Sequence, residues 1–158
     1  MANAIQAFVT EITANDVSPK DQLGAVREKD GKSYRYVRLH ASAIGALTNG
    51  RAVVWQDSDD FVVTDDISAG EATNGNNPVG FATGALTLGY YGWVQTYGRH
   101  SALDTNGVAI ATAGVQVFVI ADGVVGAVSA FGQEPAAVTT AASVASEVAA
   151  FIQIAKAQ

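Results

Sequence analysis

The sequence predicts a mostly β protein: a small β-barrel or β-sandwich with an extended N-terminal arm and a long Ala-rich C-terminal connection. In 158 residues there are 20 Val, 12 Thr and 8 Ile but only 6 Leu. Branched side chains of this kind fit a pleated surface, whereas a helical bundle leans on Leu, Glu and Lys. The 16 Gly exceed the usual share of about 7% and imply many turns. Short apolar runs alternate with turn signals every 8–12 residues or so, the rhythm of a sandwich or barrel.

Residues 1–20 form an arm or first edge strand, and residues 21–158 a single β-rich domain. Runs at 23–27 and 34–39 flank Asp30-Gly31, the strongest short-range hairpin signal. In the second run, period-2 alternation puts Tyr34, Tyr36 and Arg38 on one face and Arg35, Val37 and Leu39 on the other. Residues 40–47 make at most one helical turn, weakened by Gly45, and Asn49-Gly50 turns the chain into a strand at 51–56. An acidic segment, 57–66, surrounds a short strand at 61–64, and 67–78 is a polar loop. Strands follow at 79–86 and 91–97, then a turn at 104–107 and a second hairpin around Asp122-Gly123. The stretch 134–150 reads as a weak helix or an extended crossing segment, and Phe151 and Ile152 open a final strand.

Charge is sparse and uneven. Only 15% of residues are charged, and the net charge is −6. Residues 1–51 carry seven basic and five acidic side chains, while 52–158 carry two and ten. The acidic balance argues against nucleic acid, which needs clustered Lys and Arg to displace counterions. Apolar runs fall well short of the roughly 20 residues that span a bilayer, and the N-terminus lacks the basic region of a secretion signal. A surface this poor in charge tends toward association unless a partner covers it.

Reactive chemistry has little to draw on. With no Cys there is no disulfide framework, thiolate metal site or Cys nucleophile. His40 and His100 each lack a second His or a Cys nearby, and His100 falls in an expected loop. Asp57, Asp59, Asp60, Asp65 and Asp66 are the best cation candidates. However, Phe61 stands where a calcium loop needs its third acidic ligand, and no Gly follows. The segment therefore reads as a solvated acidic rim. The aromatic run 90–97 is more distinctive: Tyr91, Trp93, Gln95 and Tyr97 share a face that would serve a core, a subunit interface or a sugar. Gly92 and Gly98 mark a bulge or a close backbone approach.

The early hairpin with Tyr34, Arg35, Tyr36 and Val37, followed by an Ala/Gly-rich stretch into Arg51, Ala52, Val53 and Val54, resembles the decoration (cement) proteins of tailed-phage capsids. So do Tyr91, Gly92, Trp93, Val94 and Gln95, the acidic turn and Gly-punctuated strand after them, and the strand Val124, Val125, Gly126, Ala127. The likeness covers roughly residues 20–155, and the long 134–150 segment departs from it. It implies a β-rich, non-enzymatic structural protein of the virion, a homotrimer on the outside of the bacteriophage head. Its partners would be the major capsid protein and its own copies, with no cofactor, no metal, no nucleic acid and no membrane. Made in the host cytoplasm, it would end on the capsid exterior. Another virion role (head-fibre base or tail component) and a carbohydrate-binding sandwich using Trp93 and Tyr91 are the alternatives. The expected partner-binding residues are Ile5, Phe8, Val9 and Ile12 on the arm, with Tyr91 and Trp93. Deleting residues 1–15 is expected to abolish attachment while leaving a folded body.

Overall fold

The computed structural model describes residues 8–69, 77–127 and 135–154. Ten strands follow one another: β1 (Val26–Lys29), β2 (Lys32–Leu39), β3 (Ala52–Asp57), β4 (Val62–Thr64), β5 (Pro78–Ala82), β6 (Tyr91–Asp104), β7 (Gln116–Ala121), β8 (Val124–Gly126), β9 (Ala137–Thr139) and β10 (Glu147–Gln153). No helix occurs among the described residues. The 40–47 segment is bends and turns, and the described part of 134–150 is strand and turn rather than helix.

Five strands close on themselves. β2 pairs β4, β4 pairs β3, β3 pairs β5, β5 pairs β6, and β6 returns to β2. All these ladders are antiparallel except β2–β4, where Arg38 and Leu39 lie beside Val62 and Val63 in parallel. A five-stranded barrel has only enough interior for side chains. Val37, Leu39, Val53, Trp55, Val63, Val79 and Val94, contributed by all five strands, fill it with Leu47 and Leu86.

β6 is long enough to serve two sheets. Its first half belongs to the barrel. Its second half, Gly98 to Asp104, pairs with β10 and begins a second sheet in the order β6-β10-β9-β7-β8. His100 therefore lies in a strand, not a loop. Gly98 marks the change of course, with a φ of +95° and a Cβ position only 2.9 Å from the Gly31 carbonyl oxygen, a conformation and an approach that favour glycine. The second sheet packs back on the barrel wall. Val117, Val119, Val125, Ala137, Val148, Ala150 and Ile152 meet Ala52, Val54 and Phe81 in one apolar cluster.

The Asp30-Gly31 hairpin forms as the sequence predicts. Both turn residues have positive φ (53° and 73°), the type I′ pattern whose twist matches the flanking strands. Its alternation holds too: Val37 and Leu39 face into the barrel, while Tyr34 and Tyr36 face out beneath the N-terminal segment.

Candidate interaction surface

The outer barrel wall carries Tyr34, Tyr36 and Trp93, with Trp93 directly opposite Tyr36 across the β2–β6 ladder. Left open, this patch would expose three large aromatics. The N-terminal segment covers it. Phe8 meets the Trp93 ring edge-on at 5.3 Å between centroids, and the Arg27 guanidinium lies over the Phe8 ring at 5.5 Å. The Trp93 indole N–H donates to Thr10 Oγ1 at 2.9 Å, and Thr10 Oγ1 donates to Asp21. Arg27 donates to the Thr10 carbonyl, and Thr83 Oγ1 to the Ile12 carbonyl. Asp16 and Tyr91 exchange both backbone hydrogen bonds, and Gly92 leaves room for the Ala14 carbonyl oxygen 2.7 Å from its Cβ position.

These contacts place most of the predicted residues. Phe8, Ile12 and Tyr91 are half-buried in the Trp93 cluster, and Trp93 itself is 2% exposed. Their apolar surface is used within the chain, so a sugar stacking on Trp93 would have to displace the arm. Trp93 lies on the outer barrel wall beside Tyr36. Val9 alone among the described arm candidates is open, at 75% exposure. Ile5 lies outside the described residues. Burial pushes the Tyr36 and Tyr34 hydroxyls up, Tyr36 further affected by Asp16 and Asp21 and Tyr34 by Asp30.

A second surface was not foreseen from the sequence. Cross-strand partners share a face, and the row Arg99, Phe151, Val138, Gln116 runs across β6, β10, β9 and β7. This face is opposite the buried Ala150, Ala137 and Val117. Tyr97, 47% exposed, meets Phe151 edge-on at 5.1 Å. Phe151, Val138, Phe118 and Ile120 are all half-buried there. Beside Tyr97, an open polar cleft of about 330 Å³ is lined by Glu28, Lys29, Asp30, Lys32 and Ser33 of the first hairpin. The final strand at Phe151 was legible in the sequence. Its register against Tyr97, which makes an aromatic face of the two, was not.

The carboxylates serve the fold. Asp57 Oδ1 accepts the backbone N–H groups of Asp59 and Asp60, and Asp66 Oδ1 accepts the Ser68 backbone N–H and the Ser68 hydroxyl O–H. The Ser68 bonds hold the Asp66 carboxyl below its ordinary range. Asp65, 1% exposed, binds Arg51 at 3.1 Å and the Ile44 N–H at 2.9 Å. Among the described residues no three His, Asp or Glu side chains are grouped to hold a metal ion. His100 is buried against Phe81, and its Nδ1 accepts the Ala102 N–H. Burial, with Lys32 as the second cause, pushes its pKa from 6.5 down to about 4. Among the described residues no helix is long and apolar enough to cross a membrane.

Neither a scan against models of protein families nor a search of curated proteins finds a match to this chain.

Proposed function

We propose that this protein is a structural, non-enzymatic component of a virion, a homotrimer that binds the outside of the assembled major capsid protein lattice and stabilises the head. The observation that carries this reading is the outer face of the second sheet. There Tyr97, Phe151, Val138 and Phe118 offer aromatic and aliphatic area on one sheet face, with Arg99 as the charged member of the cross-strand row. Aromatic-rich, charge-poor patches are the hallmark of interface centres. The sparse charge of the whole chain and its likeness to decoration proteins support the same reading. Trimeric binding adds avidity, because the second and third contacts act at high effective concentration once the first has formed. In this reading the capsid contact lies on this sheet face, since Phe8, Ile12 and Trp93 pack against one another within the chain.

Co-sedimentation with assembled heads tests the proposal. The wild-type protein should pellet with heads and not with dissociated capsid protein, and native mass should give a trimer. Phe151→Asp with Val138→Asp should abolish pelleting while the circular dichroism of the β-sheet persists. Pelleting with tails alone would move the protein to another part of the virion, and failure to bind any virion part would refute the reading.

A further inference from the structure

Of the seven asparagines in the chain, the structure describes Asn15, Asn49, Asn77 and Asn106. An asparagine side-chain amide carbon is attacked by the backbone nitrogen of the next residue when that nitrogen is free to pivot and no side chain obstructs it. Asn-Gly pairs meet the second condition, so the fold decides through the first.

Three of the four are locked. Asn77 precedes Pro78, which has no N–H to lose. Asn15 is held by its own side chain: its Nδ2 donates to Thr87 Oγ1 and its Oδ1 accepts the Thr87 N–H, each at 2.9 Å. The nitrogen after it, on Asp16, is bound to the Tyr91 carbonyl. Asn49 precedes a glycine, but that glycine is clamped. Gly50 is buried, its N–H donates to the Ala82 carbonyl at 2.9 Å, and its own carbonyl accepts the Asp104 N–H at 3.1 Å. A Cβ there would sit 1.9 Å from the Ala102 carbonyl oxygen, so this backbone has nowhere to turn.

Asn106-Gly107 is the opposite case. Both residues are exposed at the tip of a two-residue turn closed by the Val108 N–H and the Thr105 carbonyl, a bond in which the Gly107 N–H takes no part. Nothing lies within 4 Å of the Gly107 Cβ position.

We propose that Asn106 is a self-modification site that deamidates through a succinimide. The Gly107 nitrogen loses its proton to solvent base and bonds to the Asn106 side-chain carbonyl carbon. The side-chain nitrogen leaves as ammonia, taking up a proton. Water then opens the five-membered ring at either carbonyl, giving aspartate or isoaspartate. The net change is one water consumed and one ammonia released, with no oxidant or cofactor. The product carries a new negative charge next to Asp104, whose Oδ1 holds the Asn106 N–H at 2.8 Å and whose Oδ2 lies 3.6 Å from Arg51.

Site-resolved peptide mass spectrometry, after incubating the native protein in mildly alkaline buffer, tests this. A parallel sample is incubated in denaturant, and an isoaspartate methyltransferase counts the isomerised product. In denaturant Asn49 and Asn106 should convert at similar rates, since both precede glycine. In the native protein Asn106 should outpace Asn49 by at least about tenfold, because a local opening cost of only about 1.4 kcal/mol lowers the reactive population that far. Asn74, which lies outside the described residues, is read as its own peptide. Equal native rates at Asn49 and Asn106, or an Asn106 that stays intact in the native protein while the denatured chain converts, would overturn the proposal.

Discussion

Trp93 and Thr10 are joined by a hydrogen bond from the indole N–H to the hydroxyl at 2.9 Å, and through Thr10 to Asp21. The largest aromatic on the barrel wall is thereby tied to the N-terminal segment and to the loop before β1. Apolar residues near a chain terminus look alike whether they will be buried by a partner or by the chain's own body. In this stretch the chain's own barrel takes up Phe8 and Ile12, while Val9 stays open.

Removing the hydroxyl alone tests that tie. Thr10→Val keeps the shape and leaves the buried indole N–H without its acceptor, which costs about 1–3 kcal/mol. The denaturant midpoint should fall accordingly, with Trp93 fluorescence shifting to the red.

Deleting residues 1–15 goes further, because it strips Phe8 and Ile12 as well as Thr10 from the Trp93 cluster. The truncated protein should bind a hydrophobic dye and lose several kcal/mol of stability, given that losing a packed aromatic alone costs about 3–5 kcal/mol. Loss of capsid attachment in that variant would then report a damaged body. Phe151→Asp with Val138→Asp, on the far sheet, separates the two effects. A truncated protein with unchanged stability and no dye binding would show that the arm adds nothing to the body.

Arg51 joins the barrel to the second sheet. Its guanidinium reaches Asp65 at the end of β4, the Asp122 carbonyl in the β7–β8 turn at 2.7 Å, and Asp104 at the end of β6 at 3.6 Å. Arg51→Met strands the fully buried Asp65 carboxylate, and breaking such a pair costs about 3–5 kcal/mol. Arg51 is itself a quarter exposed, so the lower end of that range is expected. Asp104→Asn removes only a long, partly solvated contact and should cost less than about 1 kcal/mol. Chemical denaturation of the two variants gives the comparison; equal losses would mean that the hub is not centred on Asp65.

The features legible in the sequence are those with local causes. Asp30-Gly31 announces its hairpin because two successive positive φ values need residues that tolerate them, and the alternation of Tyr36 with Val37 reveals which side faces the barrel. The parallel pairing of β2 with β4 has no local signature, since nothing in residues 38–39 specifies 62–63 as neighbours. Gly98 reads as a bulge or a close backbone approach, and it is one; that β6 runs on through it to Asp104 has no local signal. Residues 134–150 concealed a two-residue turn at Ala145-Ser146, closed by reciprocal bonds between Val144 and Glu147, because Ala carries no turn signal. For the same reason the aromatic face was hidden: Tyr97 and Phe151 are far apart in the chain, and only the β6–β10 register unites them.

That concealed turn makes its own prediction. Ala145 has a φ of +55°, and a left-handed backbone costs an L-residue about 1–2 kcal/mol. Glycine removes that strain but loses about 0.5–1 kcal/mol in chain entropy. Ala145→Gly should therefore raise stability by roughly 0.5 kcal/mol, whereas Ala145→Val should lower it. Thermal denaturation of both variants checks the sign, and a destabilising Gly would mean that the left-handed turn carries no strain.

His100 makes the fold sensitive to mild acid. It lies in β6 beside Phe81, past the bend at Gly98, where burial first and Lys32 second push its pKa from 6.5 down to about 4. Between those values the unfolded chain takes up a proton that the native protein refuses, so stability rises with pH across the window. The contribution is complete above pH 6.5. It declines as the pH falls and is lost by about pH 4, a total of about 3 kcal/mol at 1.36 kcal/mol per unit. His100→Gln keeps a polar side chain of similar reach and does not titrate, so its stability should be flat over that interval apart from the carboxylates. Urea unfolding of both proteins at steps from pH 7 to pH 4 gives the difference directly. Parallel curves would mean that His100 takes up its proton at the same pH in the native protein as in the unfolded chain, and that its place in the wall of the second core leaves it open to water.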